Sequence, residues 1–159
     1  MKLPDRFLAE VTPKPDDSLS PRSILATLGE LIGEQTDHHV MGVVEYRKTT
    51  FDGLVFGDGI QQFIYDFVLS APILSYRYYL FHIQYPANPS SYYPLKLTID
   101  MDIAQQLNCS TEITCKQAED FEAQLERIMA ADKTIAVVRS LYQHSQSEPS
   151  GSPSILQDE

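Results

Sequence analysis

The sequence predicts an α+β fold: an antiparallel sheet of about four to five strands, with an N-terminal helix and two C-terminal helices packed mainly on one face. Three observations carry this reading. A helical apolar stripe follows Ser20, period-two β-branched and aromatic runs fill residues 40 to 102, and two more helical stripes follow Thr114. No repeat of 20 to 50 residues interrupts that order.

Residues 1–19 are rich in proline and charge and read as an arm, which Leu3, Phe7, Leu8 and Val11 would pin to the body. Ser20 is a good N-cap and Pro21 suits the first helical position, where a missing N–H costs nothing. Ile24, Leu25, Leu28, Leu31 and Ile32 then fall on one stripe. Gly29 weakens that helix inside, and Gly33 lies near its end. The polar "TDHH" closes it.

Strands follow at 40–48, 61–69, 75–85 and 92–102. Asp52-Gly53 and Gly57-Asp58-Gly59 are turn chemistry, because these residues accept positive φ. "SAP" at 70–72 reads as a break and "PANPSS" at 86–91 as a loop. Short turns between strands favour an antiparallel meander. The segment 103–113 fits neither period. Thr114 with Gln117 resembles a capping box ahead of a helix whose buried stripe is Phe121, Leu125, Ile128 and Met129. Asp132 then caps a last helix, with Ile135, Val138, Leu141 and Tyr142 expected inside. The domain thus spans 20–144. Residues 145–159 are too rich in Ser and Pro to bury a core and are expected to be disordered.

A chain of 159 residues suits one such domain. With 12 basic and 22 acidic residues the net charge is −10. That disfavours nucleic acid and anionic membranes, which need clustered Lys and Arg, and suits a basic protein partner. Cys109 and Cys115 alone make no disulfide framework and no zinc site, so two free thiols are expected. The N-terminus lacks the apolar run of a signal peptide, and no stretch reaches 18 apolar residues. A cytoplasmic location is therefore expected, with no cofactor and no metal.

The run "LSYRYYLFHIQYP" raises the functional question. Simple alternation puts Arg77, Tyr79, Phe81, Ile83 and Tyr85 on one face and Tyr76, Tyr78, Leu80, His82 and Gln84 on the other. A strand apolar on both sides belongs in the middle of a sheet. Helices on one face leave the second to be covered by something else. If the register allows, Ile64, Asp66, Val68, Lys96 and Thr98 join Tyr76, Tyr78 and His82 there. Tyrosine suits interfaces because its ring is apolar and its tip polar. The expected binding residues are thus Tyr76, Tyr78, His82 and Asp66, facing another protein or a second copy of this chain. The plainer reading is that Phe7, Leu8 and Val11 of the arm fold across this face.

The acids Glu119, Asp120, Glu122 and Glu126 form a solvated helix face or, more sharply, a surface for a basic groove. The expected function is a non-enzymatic accessory, inhibitor or immunity-type factor: tyrosines fill a partner's pockets while acids steer it. The alternative is a small enzyme or ligand-binding domain with a pocket near His82, Asp66 and Tyr78, since a His–carboxylate pair can do acid–base work. No nucleophile motif accompanies that pair. "GDG" at 57–59 lacks the rest of a P-loop, "DMD" at 100–102 the rest of an EF-hand, and adjacent His38 and His39 point apart in extended chain.

Overall fold

The computed structural model describes residues 1–11, 20–47, 55–56, 60–87 and 92–148. The turn residues 52–53 and 57–59, most of the loop 86–91 and the tail beyond 148 lie outside them. Helices α1 (Asp5–Val11) and α2 (Pro21–Gln35) come first, then strands β1 (Met41–Tyr46), β2 (Val55–Phe56), β3 (Ile60–Ala71), β4 (Tyr76–Pro86) and β5 (Leu95–Ile99). Helix α3 (Met101–Leu107), strand β6 (Glu112–Cys115) and helices α4 (Ala118–Ala130) and α5 (Asp132–Ser147) complete the chain.

The sheet runs β1-β3-β4-β5-β6, every pair antiparallel, with β2 hairpinned onto the start of β3. This is the α+β architecture the sequence predicts, and β4 is its middle strand. The segment 103–113 divides between the end of α3 and the start of β6. Asp100 fixes the start of α3: its side chain accepts the Ile103 N–H at 2.8 Å. Thr114 lies in β6 rather than capping α4, whose N-cap position is Gln117, without a side-chain bond. Asp132 is the first residue of α5, not its cap. The break expected at "SAP" begins at its last residue: β3 runs on to Ala71, and a 3₁₀ turn at Pro72–Leu74 then separates it from β4. Residues 145–147, expected in the tail, are the last turn of α5.

Helices α2, α4 and α5 cover one sheet face. The main core lies between the layers: Leu25 and Ile32 from α2, Phe67 and Leu69 from β3, Ile83 from β4, Leu97 from β5, and Phe121 and Ile128 from α4. Gly29 has a second role besides weakening its helix. A Cβ there would lie 2.2 Å from the carbonyl oxygen of Gly42, so two glycines let α2 rest directly on β1. Thr36 ends α2 from inside, accepting the Val40 N–H at 3.1 Å and lying 2.8 Å from the Val40 carbonyl. Asp37 and His38 then take positive φ, and "TDHH" makes the tight reversal into β1.

The arm contains a helix that the sequence reading missed. No residue of α1 is buried, so it forms no second layer on the sheet. Phe7 is 47% exposed and Val11 60%, which overturns the expectation that they fold across the aromatic strand.

Candidate functional site

The expected binding set does not share a face. The β3–β4 register shifts between Phe67 and Val68: Phe67 pairs with Phe81, but Val68 pairs with Tyr79. Leu80 is the extra residue, a β-bulge that reverses which way the preceding side chains point. Tyr76 and Tyr78 therefore pair with Ala71 and Leu69 and face the helices, while Arg77 and Tyr79 share the outward face with His82. Simple alternation, which ignores bulges, assigned all four wrongly.

Tyr76 and Tyr78 border a cavity of about 490 Å³ against α5, lined also by Lys133, Ser140 and His144. The Tyr78 hydroxyl donates to Asp100 Oδ2 at 3.3 Å, and Lys133 Nζ donates to the same oxygen at 2.7 Å. Lys133 also reaches Asp102 at 2.9 Å. Burial alone would raise the Asp100 pKa, but Lys133 and the Ile103 N–H hold it below the ordinary carboxylate value. These bonds tie β4, α3 and α5 together, which is a structural use of Tyr78.

On the outward face, Asp66 sits directly opposite His82. Both Asp66 oxygens are nonetheless taken by Arg47, whose Nε donates to Oδ2 at 3.1 Å while Nη2 meets Oδ1. Burial lowers the His82 pKa, and Arg47 lowers it further against the opposing pull of Asp66 and Glu112. Arg77 pairs with Glu45 beside it and lies 5.7 Å from the Tyr79 ring. Lys96 and Glu112 stand 3.8 Å apart. Ile64 and Val68 are buried within this face. Among the described residues it is an ion-paired surface with one exposed tyrosine, Tyr79, not an aromatic patch. The three residues named for a pocket do not line one either, because Tyr78 lies on the opposite side from His82 and Asp66.

The acids Glu119, Asp120, Glu122 and Glu126 are all exposed on α4, as expected of its wet face. Two of them have a more specific setting. A cavity of about 530 Å³ between α2 and α4 is lined by Ile24, Leu28, Leu31, Leu125 and Met129 with Glu122 and Glu126. A second of about 610 Å³, between α2 and α5, shares Leu28, Leu31 and Met129 with it and continues to Ile135, Val138, Arg139 and Tyr142. Together they form one apolar trough along α2, acidic at one end and carrying Arg139 at the other. Leu31 is 50% exposed and Ile135 40%, although their stripes predict both as core. Thr134, fully buried in the trough wall, has a hydroxyl without a hydrogen-bond partner.

The trough was missed because each helix was assigned one buried stripe, and the stripes are wider than the body covers. The five leucines and isoleucines of α2 were the available signal. Cys109 and Cys115 are free thiols, and burial raises the Cys115 pKa to about 11. No described helix is long and apolar enough to cross a membrane. Compared with known protein families, curated proteins and solved structures, the chain matches none.

Proposed function

We propose that this chain is a non-enzymatic, protein-binding accessory factor that receives an amphipathic helix in the trough between α2 and the α4–α5 pair. One observation carries the reading: Leu31 and Ile135, apolar by helical period, stand half in water on facing helices. An amphipathic helix laid in an apolar groove is a recurrent recognition mode, with anchors at i, i+3 or i+4, and i+7. Glu122 and Glu126 favour an occupant with Lys or Arg beside its anchors, and the net charge of −10 speeds encounter with a basic one.

The test is a fluorescent Leu/Lys helical peptide titrated against the full chain, with a scrambled peptide of equal charge as control. The helical peptide should bind at least tenfold more tightly than the scrambled one, and Leu31→Asp should remove that difference. Equal binding of both peptides would reduce the effect to charge attraction and refute the trough.

A further inference from the structure

We infer that the helix received by the trough is dipolar: it sets bases over Glu122 and Glu126 and an acid over Arg139, and it runs antiparallel to α2. The inference rests on the trough reading above and adds the occupant's charge pattern and direction. Glu122 and Glu126 line the end beside Ile24 and Thr27, and Arg139 lines the end beside Gln35. All three are exposed, and none makes an ion pair among the described residues. Asp37, which reaches the second end through Tyr142, accepts the Tyr142 hydroxyl at 3.0 Å rather than pairing with Arg139. Unanswered charges of opposite sign at the two ends of one apolar trough fit a partner of the complementary pattern. A lipid acid would answer Arg139 but lay its tail beside two carboxylates, and an all-basic helix would set a base against Arg139.

The length of the trough sets the spacing. Gln35 follows Ile24 by 11 residues of α2, about 16 Å at 1.5 Å each. A helix laid along it covers that distance in about three turns, so its bases and its acid stand about 11 residues apart. Direction follows from the occupant's own stability. Acids in the first turn and bases in the last answer a helix's dipole. Bases over Glu122 and Glu126 therefore put the occupant's C-terminal turn beside Ile24 and its N-terminal turn beside Gln35. Because α2 runs from Ile24 to Gln35, the two helices are antiparallel.

Methyl NMR of the full chain with a spin-labelled peptide tests this. The probe is a Leu-anchored helix with Glu in its first turn, Lys in its last and a nitroxide at its C-terminus. It should broaden the methyl signals of Ile24 and Leu125 more than those of Ile135 and Val138. A second peptide with Glu and Lys exchanged keeps the anchors and the net charge, and should reverse that order. Arg139→Glu should weaken binding of the first peptide about threefold, the size expected of one exposed ion pair. Arg139 is exposed and unpaired, so circular dichroism should show the variant folded. The inference is overturned if the first peptide binds no better than its scrambled form, if both peptides broaden the same end or both ends equally, or if Arg139→Glu leaves the affinity unchanged. If the Leu/Lys helix still discriminates from its scrambled control in any of those cases, the trough stands without a charge direction. If that helix does not discriminate either, the trough itself is refuted.

Discussion

On the outward face of the sheet Arg47 has Asp66, Arg77 has Glu45 and Lys96 has Glu112. On the helix side Leu31 and Ile135 face each other across a trough. The sequence suggests the reverse, with a finished helix layer and an unfinished aromatic sheet face. Antiparallel sheets tolerate water on one face when polar side chains pair across strands, and that pairing occupies Asp66, the carboxylate of the candidate acid–base pair. Helices have no such ladder, and a stripe wider than its packing partner stays apolar and exposed. The difference teaches that the surface needing a partner is found by comparing the apolar residues each element carries with those its neighbours cover.

The largest break in this comparison should come where the helix layer meets the sheet. Gly29→Ala places a methyl group against the Gly42 carbonyl and forces α2 outward. Alanine favours a helix over glycine by about 1 kcal/mol, but overpacking of this kind exceeds that. A net loss of about 2 kcal/mol is expected, a fall in Tm of roughly 4–8 °C by calorimetry. An unchanged Tm would mean that α2 does not rest on β1.

On the outward face, Asp66→Asn keeps the shape and removes the charge. Arg47 is open enough to rehydrate, so the expected loss is about 1 kcal/mol in urea unfolding. A loss above about 3 kcal/mol would mean that this face is covered rather than open.

His82 gives a pH signature on the same face. Its folded pKa lies below the unfolded value near 6.5, so the unfolded state binds the proton first as pH falls. Stability should be fully present above about pH 6.5 and decline below it until the folded pKa is passed. His82→Gln should flatten that part of the curve. A wild-type curve that rises on acidification through this range would reverse the assignment.

The smallest effect should be a gain. Thr134→Val replaces an unpartnered buried hydroxyl with a methyl group of the same shape, and should add up to about 1 kcal/mol. A loss of similar size would mean that the hydroxyl is bonded in solution.

Much of the fold is legible in the sequence. The stripes of α2, α4 and α5 and the alternation of β5 follow from periodicity; β4 is central as expected, but not because both its sides are apolar, since its outward face carries Arg77, Tyr79, His82 and Gln84. The site is less legible for specific reasons. One extra residue, Leu80, inverts Tyr76 and Tyr78 relative to His82, and no residue type near it announces a bulge. Arg47, 19 residues before Asp66, becomes its partner only through the β1–β3 register. Proline and charge around α1 hide a helix of less than two full turns. Glu122 and Glu126 are visible as acids, but their place on the trough depends on the spacing of α2 and α4.

The most direct test is methyl-resolved NMR of the full chain during titration with the Leu/Lys helical peptide. The account predicts that the methyl signals of Leu28, Leu31, Met129 and Ile135 shift and saturate together, while those of Val43, Ile64 and Val68 stay in place. Saturable shifts at Val43, Ile64 and Val68 with the trough methyls unmoved would put the binding surface on the outward sheet face and contradict it.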